Sequence, residues 1–95
     1  MAIFKYTLTW ALAMQTLSVV VPCYNEEEGL HQLFSQLRQL KGMLGKSYAL
    51  DIVFVDDGST DRTFDMLSRF KKGFASRKKH VDVTICRHQA NRNLG

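Results

Sequence analysis

Two apolar segments of this chain each end abruptly in polar and acidic residues. The first, residues 17–28, reads LSVVVPCYNEEE, and the second, residues 51–63, reads DIVFVDDGSTDRT. Each apolar run suits a strand that is buried on both faces, which is typical of a parallel sheet covered by helices. Sheets of this kind bind ligands at the carboxyl ends of their strands. The sequence therefore predicts two parallel strands whose acidic loops meet at one edge of a sheet.

Length and composition limit the chain to one small globular domain. Its 95 residues are 45% hydrophobic and 23% charged, which excludes a disordered or fibrous chain. Cys23 and Cys86 are too few for a disulfide framework, and they lack the close pairing of a zinc site. We therefore expect reduced cysteines in a cytoplasmic protein.

The first 16 residues have two interpretations. Aromatic or aliphatic residues occupy alternate positions, which favours a strand with one buried face: Phe4, Tyr6, Leu8, Trp10, Leu12 and Met14. The other interpretation is a leader without fixed structure. Polar residues interrupt this stretch, so neither a membrane span nor an export signal is expected. The predicted division is a leader or extra strand at 1–16 and a domain at 17–95.

Two helices are predicted between the strands. Asn25 and Glu28 have the spacing of a capping box, which predicts that the first helix begins there. Its apolar stripe contains Leu30, Leu33, Phe34, Leu37, Leu40 and Leu44. Ser59 or Thr60 is expected to cap the second helix, with Asp61 in its first turn. That helix carries Phe64, Leu67, Phe70 and Phe74.

A third strand is predicted at 81–86, after a basic loop. The resulting order is strand, helix, strand, helix, strand. This alternation implies parallel strands joined by right-handed crossovers.

The acids that follow the second strand are the main candidates for ligand binding. Asp56 and Asp57 are adjacent, so their side chains are expected on opposite sides of the strand. A carboxylate there can accept a hydrogen bond from a nucleobase or a ribose, and the turn that follows offers backbone amides. Tyr24 could stack on a base or pack on the second loop. The alternative is a turn whose acids only satisfy backbone amides.

Taken together, three segments resemble the start of a family 2 glycosyltransferase. They are SVVVPCYNEE at 18–27, VFVDDGSTD at 53–61 and RNLG at 92–95. The pattern is most similar to the polyprenyl-phosphate sugar transferases, the group that includes dolichyl-phosphate mannose synthase. This resemblance implies an α/β fold, a Rossmann-like three-layer sandwich with a mainly parallel sheet, forming the N-terminal part of a GT-A fold.

The resemblance also implies the ligand and the residues that bind it. The donor would be a UDP- or GDP-linked sugar, and the acceptor group includes polyprenyl phosphates. Pro22, Tyr24 and Glu26 would line the nucleoside pocket. Asp57 would contact the base while Asp56 supports the loop, and Asn25 would be structural. Ser59 completes the implied nucleotide-binding set.

In the family, the metal-binding motif and the catalytic residues come later than residue 95. No catalytic residue, metal ligand or cofactor is therefore expected within this chain, which should be inactive alone. Mg²⁺ or Mn²⁺ is expected for a full-length parent.

In the implied strand order the second strand lies between the first and the third. Cys23 and Cys86 would then be about 10 Å apart, too far for a disulfide. The first strand would expose an apolar edge, which predicts a homo-oligomer unless residues 4–14 fold back onto it.

The sequence also allows a second function. The chain could be a non-catalytic module that binds nucleotides or self-associates, with the basic run at 69–80 on the inner face of a membrane. A solvated helix end is the commoner explanation for such a run, and nucleic acid is not predicted.

A haloacid-dehalogenase-type site is disfavoured because Gly58 stands where its second aspartate belongs. A calcium loop and a dinucleotide-binding turn lack their ligand register and their glycines.

Overall fold

The computed structural model describes residues 5–10, 15–44, 47–76 and 80–88, with the backbone alone at 5–10. The elements are β1 (Lys5–Trp10), β2 (Gln15–Cys23), α1 (Leu30–Leu44), β3 (Tyr48–Asp56), α2 (Thr63–Phe74) and β4 (Val81–Arg87). The strands form one sheet in the order β1-β2-β3-β4. Strands β2, β3 and β4 pair in parallel, and β1 pairs antiparallel with β2. The predicted α/β class and the predicted order of the three parallel strands are confirmed.

Both helices pack on one face of the sheet. The rings of Phe34 in α1 and Phe70 in α2 stack with their centroids 4.2 Å apart. Each ring also meets the ring of Phe54 in β3 edge to face. Alternate strand residues complete this core: Val19, Val21, Leu50, Ile52, Val81 and Val83. The described residues thus supply the sheet and one helical layer of the expected three.

The opposite face of the sheet is more open. Val20 keeps 36% of its surface exposed, and Val53 and Val55 are half-buried. No element among the described residues covers these side chains. The prediction that the strands are buried on both faces therefore holds for the helical face only, within the part of the chain that the structure describes.

Strand β1 lies along the edge of β2 that the sequence analysis left open either to the leading segment or to a second chain. Its register runs from Lys5 opposite Val20 to Trp10 opposite Gln15. The leading segment is therefore a strand at these positions, while Phe4, Leu12 and Met14 lie outside the described residues. Because β1 occupies this edge, self-association through β2 stays a prediction.

Helix α1 begins later than the capping-box pattern predicted. It starts at Leu30, and the amides of Gly29 and Leu30 both donate to the carbonyl oxygen of Glu26, at 2.9 and 3.1 Å. Asn25 has a φ of 48°, in the left-handed region, whereas an N-cap residue normally has extended backbone. The predicted capping box is wrong because the Asn25 side chain is used elsewhere.

The cap of helix α2 also differs from the prediction. The helix starts at Thr63, and the Oδ1 atom of Asp61 accepts a hydrogen bond from the Thr63 amide at 2.8 Å. Asp61 therefore lies before the first turn and satisfies a helix amide that Ser59 or Thr60 was expected to satisfy.

The two cysteines are unpaired, as predicted. Cys23 is buried at the end of β2, and Cys86 is exposed on β4. Strand β3 separates them, so the strand order keeps the thiols apart.

Candidate functional site

The loops after β2 and β3 lie side by side at the carboxyl edge of the parallel strands. Three consecutive amides of the first loop donate to side chains of the second. The Asn25 amide donates to Ser59 Oγ at 2.9 Å, and the Glu26 amide donates to Thr63 Oγ1 at 2.8 Å. The Glu27 amide donates to Asp61 Oδ2 at 3.3 Å. The first loop is thus held by polar side chains of the DGSTDRT segment.

Asn25 makes the reciprocal contact. Its Oδ1 atom accepts from the amide of Thr60 at 2.8 Å and lies 3.4 Å from the amide nitrogen of Asp61. The left-handed backbone of Asn25 turns its side chain toward the second loop. Asparagine suits this position because it tolerates that backbone region better than most residues. Asn25 therefore joins the two loops, in keeping with the structural role that the resemblance implied.

Asp56 and Asp57 separate as the strand geometry predicted. Asp56 is completely buried, and its Oδ1 atom accepts from the Ser59 amide at 3.0 Å. Within the described residues its Oδ2 atom has no hydrogen-bond partner, but it forms an ion pair with Arg87, whose Nε lies 3.7 Å away. The side chain of Asp57 is 52% exposed, so of the two acids Asp57 is the one that can meet a ligand.

Strand β4 brings two basic side chains that the sequence analysis did not select. The Arg87 guanidinium lies over the ring of Phe64, with Cζ 4.0 Å from the ring centroid. The Nδ1 atom of His88 lies 3.0 Å from Asp57 Oδ1. The signal was available, because both residues follow the third predicted strand and therefore reach the same edge of the sheet.

The other implied site residues divide into exposed and inward-facing groups. Pro22 is exposed, and Tyr24 keeps 46% of its surface accessible. Glu26 is half-buried, while Ser59 is 6% exposed and uses its oxygen to link the loops. The exposed members, with Asp57, can contact a ligand, and Asp56 and Ser59 hold the loop that presents them.

Two ionisable groups at this edge have shifted pKa values. Burial, with smaller contributions from Glu26 and Asp56, raises the pKa of the Cys23 thiol to about 12. For Asp61, desolvation alone would raise the pKa. Hydrogen bonds from the Thr63 side chain and from the amides of Thr63 and Glu27 outweigh it and lower the pKa. Cys23 is therefore an uncharged core residue, and Asp61 is an anion that the two loops stabilise.

The described residues do not suit a divalent metal ion. Among them, no three histidine, cysteine or acidic side chains are grouped closely enough to bind one. Asp56 and Asp57 cannot chelate a metal together because one is buried and the other faces solvent.

This architecture defines an α/β domain in which two interlocked polar loops lie at the carboxyl edge of a parallel sheet. Residues 18–95 match the family model described as glycosyl transferase family 2. The chain belongs to glycosyl transferase family 2, and the family predicted from the sequence is confirmed.

Similar proteins support the same assignment. The chain is 43% identical over 61 residues to an undecaprenyl-phosphate 4-deoxy-4-formamido-L-arabinose transferase of Enterobacter sp. (strain 638), covering 64% of the chain and 18% of that protein. It is 34% identical over 82 residues to the protein of that name from Pectobacterium carotovorum subsp. carotovorum (strain PC1), covering 86% and 22%. A prophage bactoprenol glucosyl transferase homolog of Escherichia coli (strain K12) is 38% identical over 52 residues, covering 55% and 16%. The predicted likeness to polyprenyl-phosphate sugar transferases is confirmed.

The match covers only part of each relative. The chain spans between 16% and 22% of the length of these three proteins. No solved structure matches the chain. None of the helices in the described ranges is long and apolar enough to cross a bilayer.

Proposed function

We propose that this chain is the nucleotide-binding part of a glycosyltransferase. The whole protein would transfer a sugar from a UDP- or GDP-linked donor to an acceptor such as a polyprenyl phosphate. The observation that carries the proposal is the pair of interlocked loops that present Tyr24 and Asp57 to solvent at the carboxyl edge of the sheet. Family membership supports the donor class, and the names of the similar proteins support the acceptor class.

In this proposal Asp57 accepts a hydrogen bond from the imino group of the base, and Tyr24 stacks on it or borders it. Pro22 and Glu26 form the remaining wall. Asp56 does not touch the ligand directly. Its carboxylate fixes the turn by accepting from the Ser59 amide, which sets the position of Asp57.

In this proposal His88 competes with the nucleotide for the carboxylate of Asp57. Its Nδ1 atom lies 3.0 Å from Oδ1 of Asp57, so a base that binds this carboxylate shares it with the imidazole or displaces the imidazole. A protonated His88 would hold Asp57 more strongly, since a charged donor strengthens the hydrogen bond.

The transfer step is assigned to a longer parent protein. Negative charge develops on the leaving diphosphate during glycosyl transfer, and a divalent ion commonly stabilises such charge. The acids at the carboxyl edge of the sheet, among the described residues, do not fit Mg²⁺ or Mn²⁺. We propose that this 95-residue chain binds the nucleotide and does not turn over alone.

Two further proposals concern contact of the chain with a membrane and its self-association. Contact with the inner face of a membrane is supported by the basic residues Arg69, Lys71 and Lys72 of α2, which are exposed. Self-association through the β2 edge requires that β1 leave that edge, because β1 pairs with β2 along six residue pairs. We therefore propose it for a chain in which β1 is displaced or removed.

The test is titration of the chain with UDP and GDP, with and without Mn²⁺, followed by amide NMR. We expect shifts concentrated at Tyr24, Glu26 and Asp57 that do not depend on Mn²⁺. Asp57→Asn should weaken binding about tenfold, the loss expected for one charged hydrogen bond. Asp82→Asn is the matched control, because Asp82 is an exposed acid at the opposite end of β4. Absence of shifts with either nucleotide, in a folded chain, would contradict the proposal.

A further inference from the structure

The seam between α1 and α2 contains a groove that the nucleotide proposal does not use. Its volume is about 380 Å³, and its lining includes three arginines and a histidine: Arg38, Arg62, Arg69 and His31. The stacked rings of Phe34 and Phe70 join the two helices beneath it. Neither Tyr24 nor Asp57 lines this groove, so it is a separate feature of the molecule.

The charges along the groove are poorly compensated. Arg38 and Arg62 have no carboxylate within ion-pair distance in the part of the chain that the structure describes. Arg69 lies 3.4 Å from Asp65, in a pair whose side chains are 73% and 55% exposed. Such an exposed pair contributes little and is easily exchanged for another anion. Of the described lining residues, Glu27 is the single acid.

Aromatic contacts hold one of these cations at the groove. The Arg38 guanidinium lies over the Phe70 ring, with Cζ 5.7 Å from the centroid. A guanidinium placed over a ring keeps its in-plane N–H groups available to an anion. The contact with Phe70 therefore orients the guanidinium of Arg38 and leaves its N–H groups free to donate hydrogen bonds to an anion.

A smaller cavity of about 130 Å³ adjoins the groove and shares Arg38, Arg69 and Phe70 with it. It reaches Phe74, over which the ammonium of Lys41 lies 4.7 Å from the ring centroid. A positive charge therefore follows Arg38 about one turn farther along α1, at Lys41. A ligand with two anionic groups can contact more than one of these cations, whereas a single ion meets fewer of them.

We propose that the α1/α2 groove binds a phosphate-bearing ligand through Arg38 and Arg62. Arginine recognises phosphate with two parallel N–H donors, and the groove volume lies within the usual range of small-ligand sites. The same chemistry is offered by a soluble diphosphate and by the headgroup of an anionic phospholipid.

The test compares two double variants of the full 95-residue chain that remove equal charge. Arg38→Gln with Arg62→Gln changes the groove. Lys71→Gln with Lys72→Gln changes two exposed residues of α2 that do not line it. Inorganic pyrophosphate is titrated while the amides of His31, Arg38 and Arg69 are followed by NMR. Retention on phosphatidylglycerol vesicles, against phosphatidylcholine vesicles, is measured in parallel.

We expect the arginine variant to weaken pyrophosphate binding about tenfold or more, and the lysine variant to change it less than about threefold. Because Lys71 and Lys72 also belong to the proposed membrane contact, both variants should lose vesicle retention, and the groove requires the larger loss in the arginine variant. Pyrophosphate binding without vesicle retention identifies a soluble ligand, and the reverse identifies a lipid headgroup. Either result supports the site. The proposal is overturned if neither probe binds, if both double variants lose binding equally, or if pyrophosphate shifts only the Tyr24 and Asp57 amides. Asp57→Asn should leave groove binding unchanged, which separates this site from the proposed nucleotide site.

Discussion

The Oδ1 atom of Asn25 accepts a hydrogen bond from the backbone amide of Thr60 at 2.8 Å, across 35 residues of sequence. This contact belongs to a set in which each loop satisfies amides of the other. Loops joined in this way are held in place before any ligand arrives, and such preorganisation reduces the entropy that a binding site loses when it takes up a ligand. The predicted effects of loop substitutions therefore concern stability and nucleotide affinity together.

Replacing Asn25 with glycine should isolate the contribution of its side chain. Glycine keeps the left-handed backbone and removes the acceptor for Thr60. We expect a loss of about 1 kcal/mol in the free energy of unfolding, measured by urea denaturation. Asn25→Ala should cost about 1 kcal/mol more, because alanine disfavours this backbone region. Equal stability of the wild type and both variants would show that the contact contributes nothing.

Thr63→Val should lower the free energy of unfolding more than the small difference in size between the two side chains suggests. Thr63 is fully buried, and its Oγ1 atom accepts from the Glu26 amide at 2.8 Å. Valine retains the shape but removes the hydroxyl that accepts from that amide, at a cost of about 1–3 kcal/mol. Ser68→Ala is the control, since the half-buried Ser68 hydroxyl only donates to the Phe64 carbonyl within the helix. Similar losses for both variants would contradict the structural role of Thr63.

Asp61 should make the free energy of unfolding decrease as the pH falls into the acid range. Its pKa is lowered from the ordinary 3.8 in the folded chain, so its contribution is complete above 3.8 and is lost as the pH falls through the folded value. Asp61→Asn should therefore be less stable than the wild type at neutral pH, and the difference should shrink in strong acid. Urea denaturation at several pH values measures this. A difference independent of pH would exclude the carboxylate charge as its origin.

Sequence reasoning found what depends on periodicity and strand order. The parallel strands and the apolar stripes of the helices follow from hydrophobic spacing, and the structure contains them except that Phe64 lies outside the core cluster. Alternation also favoured a strand in the leading segment, one of two interpretations left open, and the structure has β1 there. Local patterns were less informative at the loops. Asn25 and Glu28 have the spacing of a capping box, but Asn25 forms tertiary hydrogen bonds with the second loop instead. A local motif does not reveal a competing partner 35 residues away.

The same limit explains why Arg87 and His88 were missed. They carry no motif of their own, and their role depends on the register that places β4 beside β3. That register sets Arg87 opposite Asp56, and His88 follows beside Asp57. Reading the end of every predicted strand, including the third, would have selected them.

The two thiols should differ sharply in reactivity. Cys23 is 2% exposed and its pKa is about 12, so it stays an uncharged, shielded thiol near neutral pH. Cys86 is exposed. Iodoacetamide should therefore label one cysteine in the folded chain and both in urea, as counted by mass spectrometry. Cys86→Ser should abolish native labelling. Labelling of Cys23 in that variant under native conditions would show that the end of β2 opens.

Removal of residues 1–14 tests what β1 does for the sheet. Strand β1 satisfies the edge of β2 along six residue pairs, from Lys5 opposite Val20 to Trp10 opposite Gln15. Without it, that edge presents unpaired amides and carbonyls beside apolar side chains, which favours pairing with another chain. We expect the shortened chain to unfold at lower urea concentration and to self-associate with rising concentration in sedimentation experiments. A substitution of Val20 by lysine in the shortened chain should restore a monomer, since charged side chains discourage edge pairing. If the shortened chain keeps the mass and stability of the full chain, β1 does not protect this edge.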